Sequence, residues 1–322
     1  MNYALWTEGS SVPYILKFAI LQYGTLTTTS NQNSPTKTDY YQREKRIIES
    51  GDMVKFAFYY DGSNILYRNS IDDDKTWSGT AVSTGSGVLA SDTFRWTVIA
   101  TTYQDNEYAV LLYWTPAGSN MNFYVLRGQI ANETITWSSP ILLGYTFANS
   151  AACGSGGACA AVAAATDIDG KIYAAFSYGS GGSSTYSYQI MRSVDGGLNW
   201  AVSLAQIDNV STERPVMSIT GLNGSKMLFV YALYESSDLK YRVFDGTNWG
   251  SAQSASGTDM GVNTVKQISA ATMNSTRTAY VAYLSGGNSG TMHVERFSNL
   301  TEPSTERRQL WALAVTVCHP SP

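Results

Sequence analysis

The chain is poor in the residues that most enzymes use for chemistry. It has two histidines, His293 and His319, in 322 residues. That points away from a Ser-His-Asp triad and from a histidine-rich metal site. Three cysteines cannot form a disulfide framework, because one is always left over. Cys153 and Cys159 lie in a Gly/Ala-rich segment, where they either close a small disulfide loop or remain two small buried residues; Cys318 is unpaired in either case. Charged residues are scarce, at 14 %, and the net charge is −4 with no basic stripe. Nucleic acid is therefore not the expected partner. No apolar run reaches the roughly 18–20 residues of a membrane helix, so no membrane span is expected. The start, Met1-Asn2-Tyr3-Ala4-Leu5-Trp6, lacks a basic region followed by an apolar one. A secretion signal is thus not visible, and is expected either to have been removed or to lie in a larger chain. The glycine-rich segments 154–157 and 179–182 do not join a strand to a helix, so they read as loops and not as phosphate cradles. No cofactor and no metal are expected.

What the chain has in quantity is glycine (28), tyrosine (22), serine and threonine. This composition suits many short strands and tight turns. Apolar residues make up 43 %, enough for a large core. Five Asn-x-Ser/Thr sequons occur, at Asn132, Asn209, Asn223, Asn274 and Asn299. In a chain this rich in serine and threonine most of these can arise by chance; it is the low charge, the many Tyr, Ser and Thr and the few lysines that favour an extracellular or cell/virion surface location.

One stretch organises the rest. Ser193-Val194-Asp195-Gly196-Gly197-Leu198-Asn199-Trp200 reads Ser-x-Asp-x-Gly-x-x-Trp. Tyr186, Tyr188 and Ile190 ahead of it alternate as a half-buried strand does. The motif is a hairpin tip: Asp195 can accept backbone N–H groups, Gly197 can take a positive φ, and Trp200 opens the next strand and packs under the turn. Ser70-Ile71-Asp72-Asp73-Asp74-Lys75-Thr76-Trp77 repeats it with Asp74 in the glycine place. Asn132–Trp137 and Asp245–Trp249 are weaker copies. The four tryptophans are separated by 60, 63 and 49 residues. An arginine precedes each turn (Arg68, Arg127, Arg192, Arg242), and Arg296 marks a fifth unit. One arginine per unit reads as a repeated strand position and not as a site.

Each unit reads as four strands. Trp96–Thr102, Tyr108–Trp114, Asn122–Gln129 and Ile135–Leu143 form the clearest set, with 116–120 as a loop. Four-stranded units of this period predict an all-β chain, a β-propeller of four-stranded antiparallel blades. Five blades are marked between about 54 and 301, in a single domain over 1–322. Tyr14–Tyr23, 24–30 and an innermost strand at Leu310–Val317 are expected to complete a sixth.

Ser193–Trp200 and Ser70–Trp77 resemble the Asp-box (BNR repeat) of the sialidase superfamily, and the blade pattern agrees along most of the chain. The resemblance implies that Ser70, Asp72, Trp77, Ser193, Asp195, Gly197 and Trp200 are structural, at the outer rim. It also implies a central site with an arginine triad for a carboxylated sugar, an Asp acid/base and a Tyr–Glu pair. Lys45-Arg46-Ile47-Ile48 occupies the place of the first arginine, so Arg46 is a candidate for substrate binding. Asp61, in Tyr60-Asp61-Gly62, stands at the acid/base place, and also reads as an Asp-Gly hairpin turn. Glu213, followed by Arg214 and Pro215, has the layout of the family's glutamate, with Arg214 a second candidate for substrate binding. Ala232 and Leu233 stand where the second arginine would be, and only Lys266 is offered for the third. Asp167 and Asp169 read as a hairpin turn, with a calcium site as the alternative. The expected function is glycan recognition with glycosidic-bond hydrolysis by Asp61 and Glu213. The alternative is a non-catalytic interaction propeller: an adhesin, a surface or virion component, or a module of a larger protein. The expected partner is a carbohydrate or glycoconjugate, or else another protein.

Overall fold

A computed structural model describes residues 2–8, 14–22, 25–34, 47–60, 64–73, 75–79, 82–84, 96–117, 120–148, 162–179, 185–211, 216–232, 239–254, 267–273, 278–285, 291–297 and 310–313. All regular structure among them is β, and the strands group into six antiparallel sheets. The chain divides into two compact units, 1–146 and 147–322.

The first unit holds three sheets. β1 (Asn2–Glu8), β2 (Tyr14–Gln22) and β3 (Thr25–Ser34) pair with one another as a meander. β4 (Ile47–Glu49), β5 (Lys55–Tyr60), β6 (Ile65–Ser70) and β7 (Val82–Ser83) form the next, in chain order. β8 (Trp96–Tyr103), β9 (Asn106–Ala117), β10 (Asn120–Ala131) and β11 (Thr134–Trp137) form the third, with β12 (Ile141–Ala148) also on β10. Alternation explains the packing. Phe56, Phe58, Ile65 and Tyr67 from one sheet meet Val98, Leu111, Tyr113 and Leu126 from the next, and all are buried. Trp137 joins this layer by edge contacts to Phe58 and Tyr67.

The second unit repeats the plan. Its sheets are β13 (Val162–Thr166) to β16 (Ala201–Ser211) through β14 (Ile172–Gly179) and β15 (Thr185–Ser193); β17 (Val216–Gly221) to β20 (Gln253–Ser254) through β18 (Met227–Ala232) and β19 (Leu239–Phe244); and β21 (Gln267–Met273) to β24 (Leu310–Leu313) through β22 (Thr278–Ser285) and β23 (Thr291–Phe297). One apolar layer joins the first pair of sheets and a second joins the next pair. In each unit the first strands of neighbouring sheets lie side by side: β4 with β8, β13 with β17, β17 with β21. Side-chain hydroxyls tie the last two together. Ser218 Oγ accepts the Ala270 N–H at 2.9 Å, and the Thr220 and Thr272 hydroxyls are 2.9 Å apart. Small residues here let the β17 and β21 backbones approach.

Three details differ from the sequence expectation. Segment 116–120 is mostly strand: β9 runs to Ala117 and β10 starts at Asn120, paired directly. β8 begins opposite Tyr113, so Pro116 lies beyond that ladder and its missing N–H costs no bond there. The outer strand expected over Ile135–Leu143 is interrupted at 138–140, where Pro140 cannot donate to a ladder. Leu310–Leu313 is not an innermost strand: it pairs with β23 at the far side of its sheet from β21. It is the next apolar run after β23 and supplies that strand's open ladder.

Gly128 shows how tightly the tryptophan is fitted. A Cβ there would lie 2.3 Å from Ile135 Cγ2 and 2.6 Å from Trp137 Cε3. Gly79 has nothing within 4 Å of the same position. Gly128→Ala should therefore lose about 1–3 kcal/mol in denaturant unfolding, whereas Gly79→Ala should stay within about 0.5 kcal/mol of the parent.

Candidate functional site

Each sheet has two ends, and the structure gives them different chemistry. At one end lie the turns between first and second strands and between third and fourth strands. Here the repeated aspartates are consumed by their own backbone. Asp195 Oδ1 accepts the N–H groups of Leu198 (3.1 Å) and Asn199 (2.9 Å) and the Ser193 hydroxyl (2.8 Å), while its Oδ2 takes the Asn199 side chain (2.7 Å). Gly197 sits at φ 90° and donates its N–H to Ser193 Oγ at 2.9 Å. Trp200 Nε1 donates to the Gly197 carbonyl at 3.0 Å, so its ring lies under the turn. Asp72 repeats the pattern with the Thr76 N–H (2.8 Å), the Thr76 hydroxyl (2.6 Å) and Ser70 (3.0 Å). In this copy Asp73 takes the left-handed conformation, at φ 57°, and the buried Lys55 holds it with a 2.6 Å ion pair. Asp74 lies outside the described residues. Asp245 accepts the Thr247 and Asn248 N–H groups, both at 2.7 Å.

The hydrogen bonds govern the acidity of these groups. Those from Thr76 hold Asp72 below its ordinary value, and those from the Asn248 and Thr247 backbone do so for Asp245. Partial burial pushes Asp195 up, but its bonds from Asn199, Ser193 and Leu198 outweigh that and leave it lowered. They are fixed anions that hold turns, with no proton to give near neutrality.

Three of the five repeated arginines have their partners at the same end. Arg68 Nη1 donates to the Ser78 carbonyl at 2.6 Å and Arg242 Nη1 to the Gly250 carbonyl at 3.0 Å, in each case the residue after the turn's tryptophan. Arg127 lies 3.5 Å from the centre of the Tyr108 ring. The tryptophans do more than close their own turns. Trp249 Nε1 donates to Ser203 Oγ of the preceding sheet at 3.0 Å, and Trp249 meets the Tyr173 ring of that sheet edge-on.

The opposite end carries the strand termini that flank the sequence candidates. β4 begins at Ile47 and pairs antiparallel with β5, which ends at Tyr60, so both termini lie at one end of that sheet. β17 begins at Val216, opposite Ala232. Arg46, Asp61, Glu213 and Arg214 themselves lie outside the described residues, as do Cys153 and Cys159. The described side chains at this end of the β8–β11 sheet are aromatic. Trp114 stacks on Phe123 at 4.6 Å and Tyr113 on the half-buried Tyr124 at 5.6 Å, with Asn122 Nδ2 3.4 Å from the Tyr124 hydroxyl. Burial pushes the Tyr113 hydroxyl pKa up, with a smaller contribution from Tyr124.

Among the described residues no group of three His, Cys, Asp or Glu side chains is placed to hold a metal. The calcium alternative for Asp167 and Asp169 meets a direct obstacle: the Lys171 ammonium sits 2.9 Å from Asp169 Oδ2. No helix among the described residues is long and apolar enough to cross a membrane. Two polar pairs escaped the sequence reading, the buried Lys55 with the exposed Asp73, and the buried Tyr283 hydroxyl with Glu295 Oε1 at 3.1 Å. A lone charge inside an apolar strand pattern was their only signal.

No protein-family model matches this chain, and no curated protein matches it in sequence. Solved structures do match. A mutant of AofleA from Arthrobotrys oligospora, with three arginine-to-alanine changes, superposes with a TM-score of 0.54 at 10 % identity, over 98 % of this chain and 84 % of that one. The polysaccharide lyase Uly1 gives 0.51 at 10 % identity, over 98 % and 80 %. The Hadza microbial sialidase Hz136 gives 0.51 at 11 % identity, over 88 % and 64 %, so the alignment spans less than two thirds of that protein. The fold is a β-propeller. At these identities the likeness carries fold and nothing finer, and the four-stranded sheets are its blades.

Because the aspartates of the turns are lowered in the folded state, their contribution to stability is present above the unfolded value near 3.9 and is lost as the pH falls through the folded values. Asp195→Ala should cost about 1–2 kcal/mol at pH 7, as loss of a side-chain acceptor for backbone N–H groups does. The gap from wild type should narrow below about pH 4, where wild-type Asp195 also protonates.

Proposed function

We propose that the chain is a sialidase-like glycan-recognising propeller that works outside the cell or on a cell or virion surface. In this reading the Ser70–Trp77 and Ser193–Trp200 turns are Asp-boxes, members of the scaffold. Function belongs to the other ends of the blades. The observation that carries the reading is that Asp72, Asp195 and Asp245 each accept backbone N–H groups of their own turns. The remaining candidate acids, Asp61 and Glu213, directly follow β5 and shortly precede β17. Asp61 is assigned as the acid and Glu213 as the second carboxylate of glycosidic hydrolysis, a chemistry that needs two. Arg46 and Arg214 are assigned to a sugar's acidic or hydroxyl groups, because a guanidinium fork suits a carboxylate.

One observation favours the non-catalytic alternative, in which the propeller only holds a glycan or another protein. Ala232, at the place of the family's second arginine, is a buried strand end with its carbonyl taken by the Tyr188 hydroxyl at 2.8 Å. A carboxylate clamp is therefore incomplete on that blade.

A glycan array and a panel of aryl glycosides, one of them a sialoside, separate the readings. Hydrolysis that falls about 10²–10⁴-fold in Asp61→Asn and Glu213→Gln, with folding intact, supports the enzyme. Array binding without hydrolysis supports the holding function. Neither binding nor hydrolysis would remove glycans as the partner.

A further inference from the structure

Asp167 is a carboxylate with no role in the reading above, and it is buried. It opens the turn between β13 and β14 and is 6 % exposed. Its Oδ1 accepts the N–H groups of Asp169 and Lys171, both at 2.9 Å. Its Oδ2 is shielded from solvent and has no hydrogen-bond partner among the described residues. Buried carboxylate oxygens ordinarily have donors, because an ionised oxygen without one carries its full desolvation cost.

The seam above Asp167 is closed by the neighbouring blade. Residues 165, 167 and 173 share one sheet face by strand alternation and register. The Tyr173 ring on that face lies 5.5 Å from the Phe244 ring of the β17–β20 blade. Gly221, at the end of β17, approaches so closely that a Cβ there would lie 2.6 Å from the Thr166 carbonyl oxygen and 3.7 Å from Asp167 Cα. The hairpin tip after it reaches across: Ser225 Oγ donates to Asp169 Oδ2 at 2.5 Å. Asp167 is therefore capped by two interlocked hairpins.

The charges around it do not neutralise it. On its own turn, the Lys171 ammonium is bound to Asp169 Oδ2 at 2.9 Å and not to Asp167. On β14 stands the Tyr173 phenol, and Arg192 is its register partner on β15. From the facing blade come Ser225, which is neutral, and Lys226, whose charge acts on Asp245. We propose that Asp167 is a proton switch at the seam between the β13–β16 and β17–β20 blades. It is a neutral acid in the tightly closed seam, and the loss of its proton as pH rises loosens the interlock of the two hairpins. Protonation places a donor on the one oxygen that lacks a partner and removes the buried charge. The raised pKa that burial gives Asp167 agrees with this geometry, against smaller opposing contributions from the Lys171 and Asp169 backbone bonds and the Lys171 charge.

The sign follows from the raised folded value. The stabilisation is complete below the unfolded pKa near 3.9 and disappears as pH rises through the folded one. Two measurements test it. Carbon-detected NMR titration of wild-type Asp167 should give a midpoint above 3.9. Denaturant unfolding between pH 4 and 8 should show a stability decline in wild type that Asp167→Asn flattens, since Asn keeps the acceptor and supplies the donor at every pH. A midpoint at or below the ordinary value, or an unchanged slope in the Asn variant, overturns the proposal. If the variant does not fold, the wild-type titration decides alone.

Discussion

The structure depends on one recurring constraint: a sharp turn in the outer hairpin of a blade must satisfy its N–H groups without a helix or another strand. An aspartate does this in three of the blades. Asp195, Asp72 and Asp245 each accept hydrogen bonds from residues two to four positions ahead. Fixing the turn fixes the tryptophan that follows. Trp249 then spans the gap to the preceding blade through Ser203 and Tyr173, and Trp137 does so through Phe58 and Tyr67. A local turn thereby sets a contact between blades. Buried aromatic layers then fill the space that these contacts define.

The constraint also divides the labour between the ends of a blade. Acidic side chains are common at the turn end, but Asp72, Asp195 and Asp245 each accept hydrogen bonds within their own turns, and this holds Asp72 and Asp245 as stable anions. These aspartates are therefore committed to the fold. Asp167 is the exception at the turn end, since its second oxygen is buried without a donor and burial raises its pKa.

Much of the fold was legible because it is written locally. The Ser-x-Asp-x-Gly-x-x-Trp spacing predicts the turn at Ser193–Trp200 with its hydrogen bonds, and the repeat predicts strands such as Trp96–Thr102, observed over Trp96–Tyr103. What escaped is non-local. No spacing tells that Trp249 meets Ser203, that Arg242 reaches the Gly250 carbonyl, or that Gly221 presses on Thr166. Nor does composition tell which sheet takes Leu310–Leu313, because an apolar run suits an inner or an outer strand equally. The site was legible only as candidates by resemblance. Arg46, Asp61, Glu213 and Arg214 adjoin strand ends, but the pattern of a strand does not encode where its flanking side chains turn.

The central claim is that the aspartate turns are scaffold and that the proposed glycan contacts lie at the other strand ends, such as Ile47 and Tyr60 on one sheet and Val216 on another. Backbone amide NMR of the isotope-labelled protein during addition of an array-selected glycan tests it most directly. The account predicts chemical-shift changes clustered at residues flanking those strand ends, with the amides of 71–77, 194–199 and 245–248 unmoved. Changes clustered in those turns, with the strand ends silent, would contradict it.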